Sequence, residues 1–248
     1  MKRLLFLLPL LTLAGCHHHE TDMHPRQDTL STSIAKEPAH PFLSNDTPTE
    51  AKIRAHGLVD IHELDTSILV NLVYSTPDNF MHRVLYKDIH KAFMLPQLAD
   101  KLVAAQAQLR SSHPGMSLII LDASRPLSIQ RQMFHQVQGT PQNIYVSNPL
   151  HGPGLHNYGA AVDIALADTN GQLLPMGSDF DHFGPESHIT NEKRLLADGI
   201  ISQQEYDNRL LLRQLMVRQG LQPLHSEWWH FNLMSRAKAK QLLKPLDF

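Results

Sequence analysis

Apolar residues change their period several times along the chain, and each change marks an element. Leu58-Val59-Asp60-Ile61 and the run Ile68 to Tyr74 alternate or stay apolar as strands do, and Ser75-Thr76-Pro77-Asp78-Asn79 breaks the pattern as a loop. Leu98, Leu102, Val103, Ala105 and Leu109 fall near helical spacing and predict an amphipathic helix over 95–109, closed by Ser-Ser-His-Pro-Gly. Ser117 to Leu121 is a short continuous apolar run and reads as a buried strand that delivers Asp122-Ala123-Ser124-Arg125-Pro126 at its end. A proline-initiated helix follows, Pro126 to about Gln138. Gly159 to Ala167 predicts another strand, with a return strand at Gly171 to Leu174 after a Thr169-Asn170-Gly171 turn. Ser202-Gln203-Gln204-Glu205 has the capping-box form, and the helix it opens buries Leu211, Leu212, Leu215 and Met216 before stopping at Gly220. Trp229 to Leu233 reads as a last strand, and a short amphipathic helix closes the chain.

The first fifty residues follow a different logic. Met1-Lys2-Arg3 is a positive start, Leu4 to Leu13 an apolar run too short to span a bilayer, and Leu13-Ala14-Gly15-Cys16 a small-residue processing site. This order resembles the bacterial lipoprotein signal, in which the cysteine, here Cys16, becomes the lipidated first residue. The expectation is therefore an exported protein held on a membrane of the cell envelope by its lipid, facing the periplasm in a Gram-negative cell. Residues 17–50 are rich in His, Thr, Ser, Pro and Asp without apolar periodicity and read as a flexible tether, the His17-His18-His19 triple included. The folded domain is then expected at 51–248. Cys16 is the only cysteine, so no internal disulfide is available to that domain.

Composition narrows the function classes. A 248-residue chain with 42% hydrophobic residues and a formal net charge of -2 suits one globular domain plus the leader and tether. With no basic stripe and a sequence pI near 6.8, nucleic-acid binding has no support. There are no internal repeats, which argues against a solenoid. No protein partner is indicated.

Candidate chemistry gathers in two segments. His151 to Asp163 passes from a glycine-rich loop into an apolar strand and carries His156 and Asp163, whose imidazole nitrogen and carboxylate oxygen both suit a borderline ion such as zinc. Far downstream, Ser226-Glu227-Trp228-Trp229-His230 adds His230 as a third ligand and Glu227 as an acid three residues before it. Among 17 histidines a lone His/Asp pair is a weak signal, and the Glu-to-His segment is what raises it. Three ligands with an open fourth position is the catalytic form of a zinc site. Arg125, leaving a buried strand, needs an acidic partner or a cleft, so it reads either as a structural ion pair with Asp122 or as an anion clamp. The segment Pro175 to Phe183 is a loop with two carboxylates, Asp179 and Asp181, and an aromatic pair.

Five ordered blocks then resemble the D-alanyl-D-alanine dipeptidases, zinc peptidases related to D,D-carboxypeptidases and cell-wall endopeptidases. They are Tyr74 to Phe80, Asp122 to Pro126, His156 to Asp163, Pro175 to Asp181, and Glu227 to His230, spread over roughly Val59 to Asn232. The resemblance implies an α+β domain with a central, mostly antiparallel sheet flanked by helices. It implies one Zn2+ per chain on His156, Asp163 and His230, with Glu227 as catalytic base and Arg125 stabilising the transition state. Asp181, helped by Tyr74, would hold the free amino group of D-Ala-D-Ala or a related D-amino-acid peptide. One departure stands out: the family commonly has serine two residues before the first zinc histidine, and this chain has Gly154. The wording His-Asn-Tyr-Gly is also frequent among cell-wall endopeptidases. A D,D-carboxypeptidase or endopeptidase acting on peptidoglycan stem peptides is therefore the alternative enzyme. A non-catalytic envelope-binding lipoprotein is the alternative outside enzymes, and the presence of Glu227 with all three ligands argues against it.

Overall fold

The computed structural model describes residues 45–248, which form one compact unit. The leader, Cys16 and most of the tether lie outside the described residues. Ahead of position 51, Thr47-Pro48-Thr49-Glu50 is a capping box. Glu50 N–H donates to Thr47 Oγ1 at 3.2 Å and Thr47 N–H to Glu50 Oε2 at 2.9 Å, opening helix α1 (Pro48–Ala55). Glu50 is then buried against the chain, its other oxygen accepting from the His90 and Lys91 amides at 2.8 and 3.2 Å.

After α1 come β1 (Val59–Asp60), β2 (Leu69–Val70), β3 (Phe93–Met94), α2 (Pro96–Ser112), β4 (Ser117–Asp122) and α3 (Leu127–Val137). The second half adds β5 (Ala161–Ala167), α4 (Glu192–Ala197), α5 (Gln203–Arg218), β6 (Gln222–Leu224), β7 (Glu227–Asn232) and α6 (Arg236–Leu242). Strands β1 and β3 pair as a small antiparallel ribbon, while the main sheet has the order β2-β4-β5-β7-β6. Within that sheet only the β2–β4 pair is parallel. The domain is thus α+β with a mostly antiparallel central sheet.

Every residue of β5 is buried, as expected for a central strand covered on both faces. Helix α2 packs on β4, α5 packs on β5, β6 and β7, and the two helices pack on each other. The capping box of α5 forms as its sequence predicts, and Leu212, Leu215 and Met216 enter the core, with Leu211 half-buried.

Three predicted strands are shorter in the structure, the first being Leu58 to Ile61, of which only Val59 and Asp60 pair before a 3-10 turn, Ile61–Glu63. Only Leu69 and Val70 of the run Ile68 to Tyr74 join the sheet edge, after which a 3-10 turn, Val73–Ser75, carries Tyr74 inward. The return strand at 171–174 reduces to a single bridge, Ala167 to Leu173, and Pro175, which has no N–H to donate, stops it there.

Candidate active site

The sheet register places the chemistry. Strands β5 and β7 pair Asp163 with His230. Strands β4 and β5 pair Asp122 with Asp163 because a bulge between Ile120 and Asp122 inserts one extra residue, Leu121. Since strand faces alternate at every residue, that bulge turns Asp122 into the same row as Asp163 and His230. His156 reaches the row from the 3-10 turn Leu155–Tyr158, which ends at Gly159 in the left-handed region, φ +64°. A Cβ there would come within 2.1 Å of Leu58 Cδ2, so glycine is required between the histidine and its strand.

Three atoms converge in that row. His156 Nε2 is 3.3 Å from Asp163 Oδ1 and 3.2 Å from His230 Nδ1, which is 2.9 Å from the same Asp163 oxygen. Both rings are oriented by their outer nitrogens: His156 Nδ1–H donates to the Ala123 carbonyl at 2.6 Å, and His230 Nε2–H to Asn232 Oδ1 at 2.8 Å. Those bonds turn two imidazole lone pairs and a carboxylate oxygen toward one another, an arrangement that repels itself unless a cation or a proton sits between them. Tetrahedral ligands about 2.0–2.1 Å from zinc stand ~3.3 Å apart, so the observed triangle fits such an ion with little adjustment. Of the groups of His, Cys, Asp and Glu among the described residues, this is the one that could hold a metal.

Around the triangle lies a cavity of about 330 Å³, whose lining includes Tyr74, Arg125, His156, Asp163, Asp181, Glu227, Trp229 and His230. All of the site residues named from sequence other than Cys16 are therefore brought together. Glu227 Oε2 is 3.9 Å from His230 Nδ1, and burial pushes its carboxyl up to about 8, against the pull of His230. Burial raises Asp181 to about 8 as well, despite the Tyr74 hydroxyl, which donates to its two oxygens at 2.9 and 3.0 Å. Asp181 also holds a left-handed backbone, φ +59°, which aspartate tolerates better than most residues. For Asp163 and His156, burial opposes the charged forms, but their attraction for each other prevails: the carboxyl falls below its usual range and the imidazole rises above its own.

Arg125 forms the ion pair with Asp122 and also lines the cavity. Its Nε and Nη2 donate to Asp122 Oδ2 at 3.1 and 2.6 Å, and Nη1 donates to Gln130 Oε1 at 2.8 Å. Three of its five N–H groups are thus used, leaving two for a ligand in the cavity it lines. Its guanidinium carbon lies 5.1 Å from the centre of the Tyr74 ring, and Nη2 is 3.8 Å from Asp163 Oδ2.

Several supporting groups were not identified from sequence. Tyr86 donates to the other Asp122 oxygen at 2.6 Å, and Asn157 links the Arg125 carbonyl (2.8 Å) to the Gly154 amide (2.8 Å). Buried Arg209 donates to the Met176 carbonyl and to Ser178 Oγ, fastening the loop that ends in Asp181. Gly177 in that loop has φ +78°, and a Cβ would meet Ile201 Cγ2 at 2.5 Å. Trp228 and Trp229 are buried and pack edge-to-face at 5.2 Å, Trp228 donating to Ser178 Oγ at 3.0 Å. At Gly154 the space for a side chain is bounded by Ser147 Oγ, 3.2 Å from where a Cβ would stand.

Residues 54–245 match a sequence family described as D-Ala-D-Ala dipeptidase, peptidase family M15. The chain belongs to this family. A D-alanyl-D-alanine dipeptidase of Escherichia coli (strain K12) is 30% identical over 184 residues, covering 73% of this chain and 86% of that protein. The D-alanyl-D-alanine dipeptidases of Enterococcus faecium and Enterococcus faecalis (strain ATCC 700802 / V583) are 28% and 27% identical over 71% and 72% of this chain, and 91% and 92% of their own lengths. Family M15 peptidases are metal-dependent, and the chain is a peptidase of that group with the His156, Asp163 and His230 cluster where a metal fits.

Proposed function

We propose that the protein is a zinc-dependent D,D-dipeptidase that hydrolyses D-Ala-D-Ala or a closely related D-amino-acid dipeptide. The observation that carries this reading is the triangle of His156 Nε2, Asp163 Oδ1 and His230 Nδ1, with Glu227 and Asp181 in the same cavity. Two imidazoles and one carboxylate at this spacing suit zinc. His156, Asp163 and His230 would hold the zinc, which when bound would supply Lewis acidity toward the scissile carbonyl and toward water near neutral pH. Glu227, whose carboxyl burial raises to about 8, takes the proton of the attacking water and delivers it to the leaving amine. The free N–H groups of Arg125 meet the negative charge that grows on the carbonyl oxygen. Asp181, whose carboxyl burial raises to about 8, ionises against the substrate ammonium, and the Tyr74 hydroxyl keeps it aimed. A carboxylate at that position favours a free amino terminus, which separates a dipeptidase from an enzyme that cuts within stem peptides.

The test is release of D-alanine from D-Ala-D-Ala by protein loaded with zinc, set against L-Ala-L-Ala and the Glu227→Gln variant. Zinc-dependent release confined to the D,D-peptide and lost in the variant supports the reading; no zinc-dependent release from either peptide refutes it.

The proposal extends to location. With Met1 to Cys16 acting as a lipoprotein signal, the enzyme works on wall-derived D-amino-acid peptides in the envelope, serving trimming or salvage, and does not reach a cytoplasmic D-Ala-D-Ala pool. Cell fractionation with mass spectrometry of the mature amino terminus tests this, and an unlipidated protein found in the cytosol defeats it.

A further inference from the structure

The cavity contains a second charge that neither the metal triangle nor the amine site uses. Arg236, the first residue of α6, lines the same cavity as His156, Asp181 and Glu227. Its Nε donates to the Pro153 carbonyl at 2.9 Å, and its Nη2 donates to the His151 carbonyl at 3.1 Å and to the Gly152 carbonyl. All three acceptors are neutral, and no carboxylate among the described residues forms an ion pair with this guanidinium. Nη1 takes part in none of these bonds, and the side chain is exposed where it borders the cavity. A guanidinium is a fork of five donors whose geometry matches a carboxylate. Here three backbone carbonyls hold the fork in place without neutralising it.

The placement gives that charge a task. The segment His151 to Pro153 lies three residues before His156, so the cation is tied to the loop that carries the first metal-site histidine. Asp181 also lines the cavity, where it accepts from the Tyr74 hydroxyl, and it shares no partner with Arg236. Besides Glu227 beside the metal triangle, the cavity of about 330 Å³ thus carries an acid, Asp181, and a cation, Arg236, neither of which has an ion-pair partner among the described residues. A free dipeptide is a short zwitterion, with its ammonium at one end and its carboxylate at the other.

We infer that Arg236 is a specificity-determining residue that binds the C-terminal carboxylate of the substrate, so that the site measures a peptide from both ends. This rests on the dipeptidase reading and deepens it. A peptide amidated at its carboxyl end, or extended beyond the second residue, loses this contact.

The experiment compares D-Ala-D-Ala with its C-terminal amide on the zinc-loaded protein, in the parent, Arg236→Ala and Arg236→Lys. The parent is expected to favour the acid by roughly 10- to 100-fold in kcat/KM, the range of a charge-assisted hydrogen bond. In Arg236→Ala that preference is expected to collapse to within about threefold, with lysine restoring part of it. Parallel losses on acid and amide would make Arg236 a loop fastener and overturn the inference, as would an unchanged preference. Calorimetric binding of both peptides to zinc-loaded Glu227→Gln protein, with and without Arg236→Ala, reads the same contact without turnover. Tighter binding of the acid that disappears with Arg236 supports the inference even if the parent cleaves neither peptide, a result that would count against the dipeptidase reading alone. Equal binding of acid and amide overturns it.

Discussion

Replacing Asp181 by asparagine separates charge from shape at the proposed amine site. The carboxylate accepts from the Tyr74 hydroxyl at 2.9 and 3.0 Å, and no basic side chain among the described residues forms an ion pair with it. Asparagine fills the same space and still accepts that hydrogen bond, but it offers a substrate ammonium no charge. The interaction lost is a charge-assisted hydrogen bond of about 1.5–3 kcal/mol, or roughly 10- to 100-fold in affinity. Because the ammonium is held alike in ground and transition states, the loss is expected in KM, with kcat within about threefold of the parent. The same variant reads the burial of the carboxyl. Its pKa near 8 means that the folded protein keeps a proton the unfolded chain releases near pH 4. The stability this contributes is complete below about pH 4 and is lost as the pH rises toward 8. Asparagine has no proton to lose, so Asp181→Asn should gain in Tm relative to the parent between pH 4 and 9. The assays are steady-state kinetics on D-Ala-D-Ala and thermal melts across that range in the absence of peptide. A fall in kcat at constant KM would refute the amine-binding role, and parallel Tm profiles would refute the buried, uncompensated carboxyl.

Arg125→Ala is expected to lower kcat by at least ~100-fold with KM within about fivefold, since its free donors act on charge that develops during reaction; the reverse split would assign it to ground-state binding. That substitution also strands buried Asp122, so Arg125→Lys serves as the folded companion, checked by its melting curve. Stripping the metal with a chelator should lower Tm by several degrees and zinc should restore it, and a melt indifferent to zinc would contradict the site. Because Asp163 holds the His156 imidazole above its usual pKa despite burial, protons compete with the metal, and zinc affinity should weaken as the pH falls from 8 to 6; chelator competition that yields one affinity across that range would refute this. Gly159→Ala places a Cβ against Leu58 at a left-handed position and should cost roughly 2–4 kcal/mol, a Tm loss on the order of 5–15 °C, measured by calorimetry.

The parts of the fold read from sequence were those whose signal is local. The apolar run of β4, the helical spacing of α2 and the capping box of α5 each state their structure within a few residues. Helix α1 carries an equally local capping box in Thr47 to Glu50, but it lies in a stretch whose polar composition reads as tether. Strands β3 and β6 have two and three residues, too few for a period, and exist because β1 and β7 offer them an edge. The candidate site residues that meet in the cavity were legible because each lies in a short motif. Their supports were not, because they act across the chain: Tyr86 reaches Asp122 over 36 positions, and Arg209 reaches Met176 over 33. The bulge at Leu121 has no local mark in the sequence, yet it sets Asp122 beside Asp163 and so fixes where Arg125 stands.

We propose that the cavity selects a free D,D-dipeptide through a charged contact and cleaves it at the metal triangle. The most direct measurement is kcat/KM of the zinc-loaded protein on D-Ala-D-Ala, its N-acetylated form and a peptidoglycan stem peptide ending in D-Ala-D-Ala, with Asp181→Asn run alongside. The expected result is turnover of the free dipeptide, at least ~10-fold slower turnover of the blocked peptides, and a loss of that preference in Asp181→Asn. Equal or faster cleavage of the acetylated or stem peptide would contradict the account and make the protein a wall-cutting carboxypeptidase or endopeptidase.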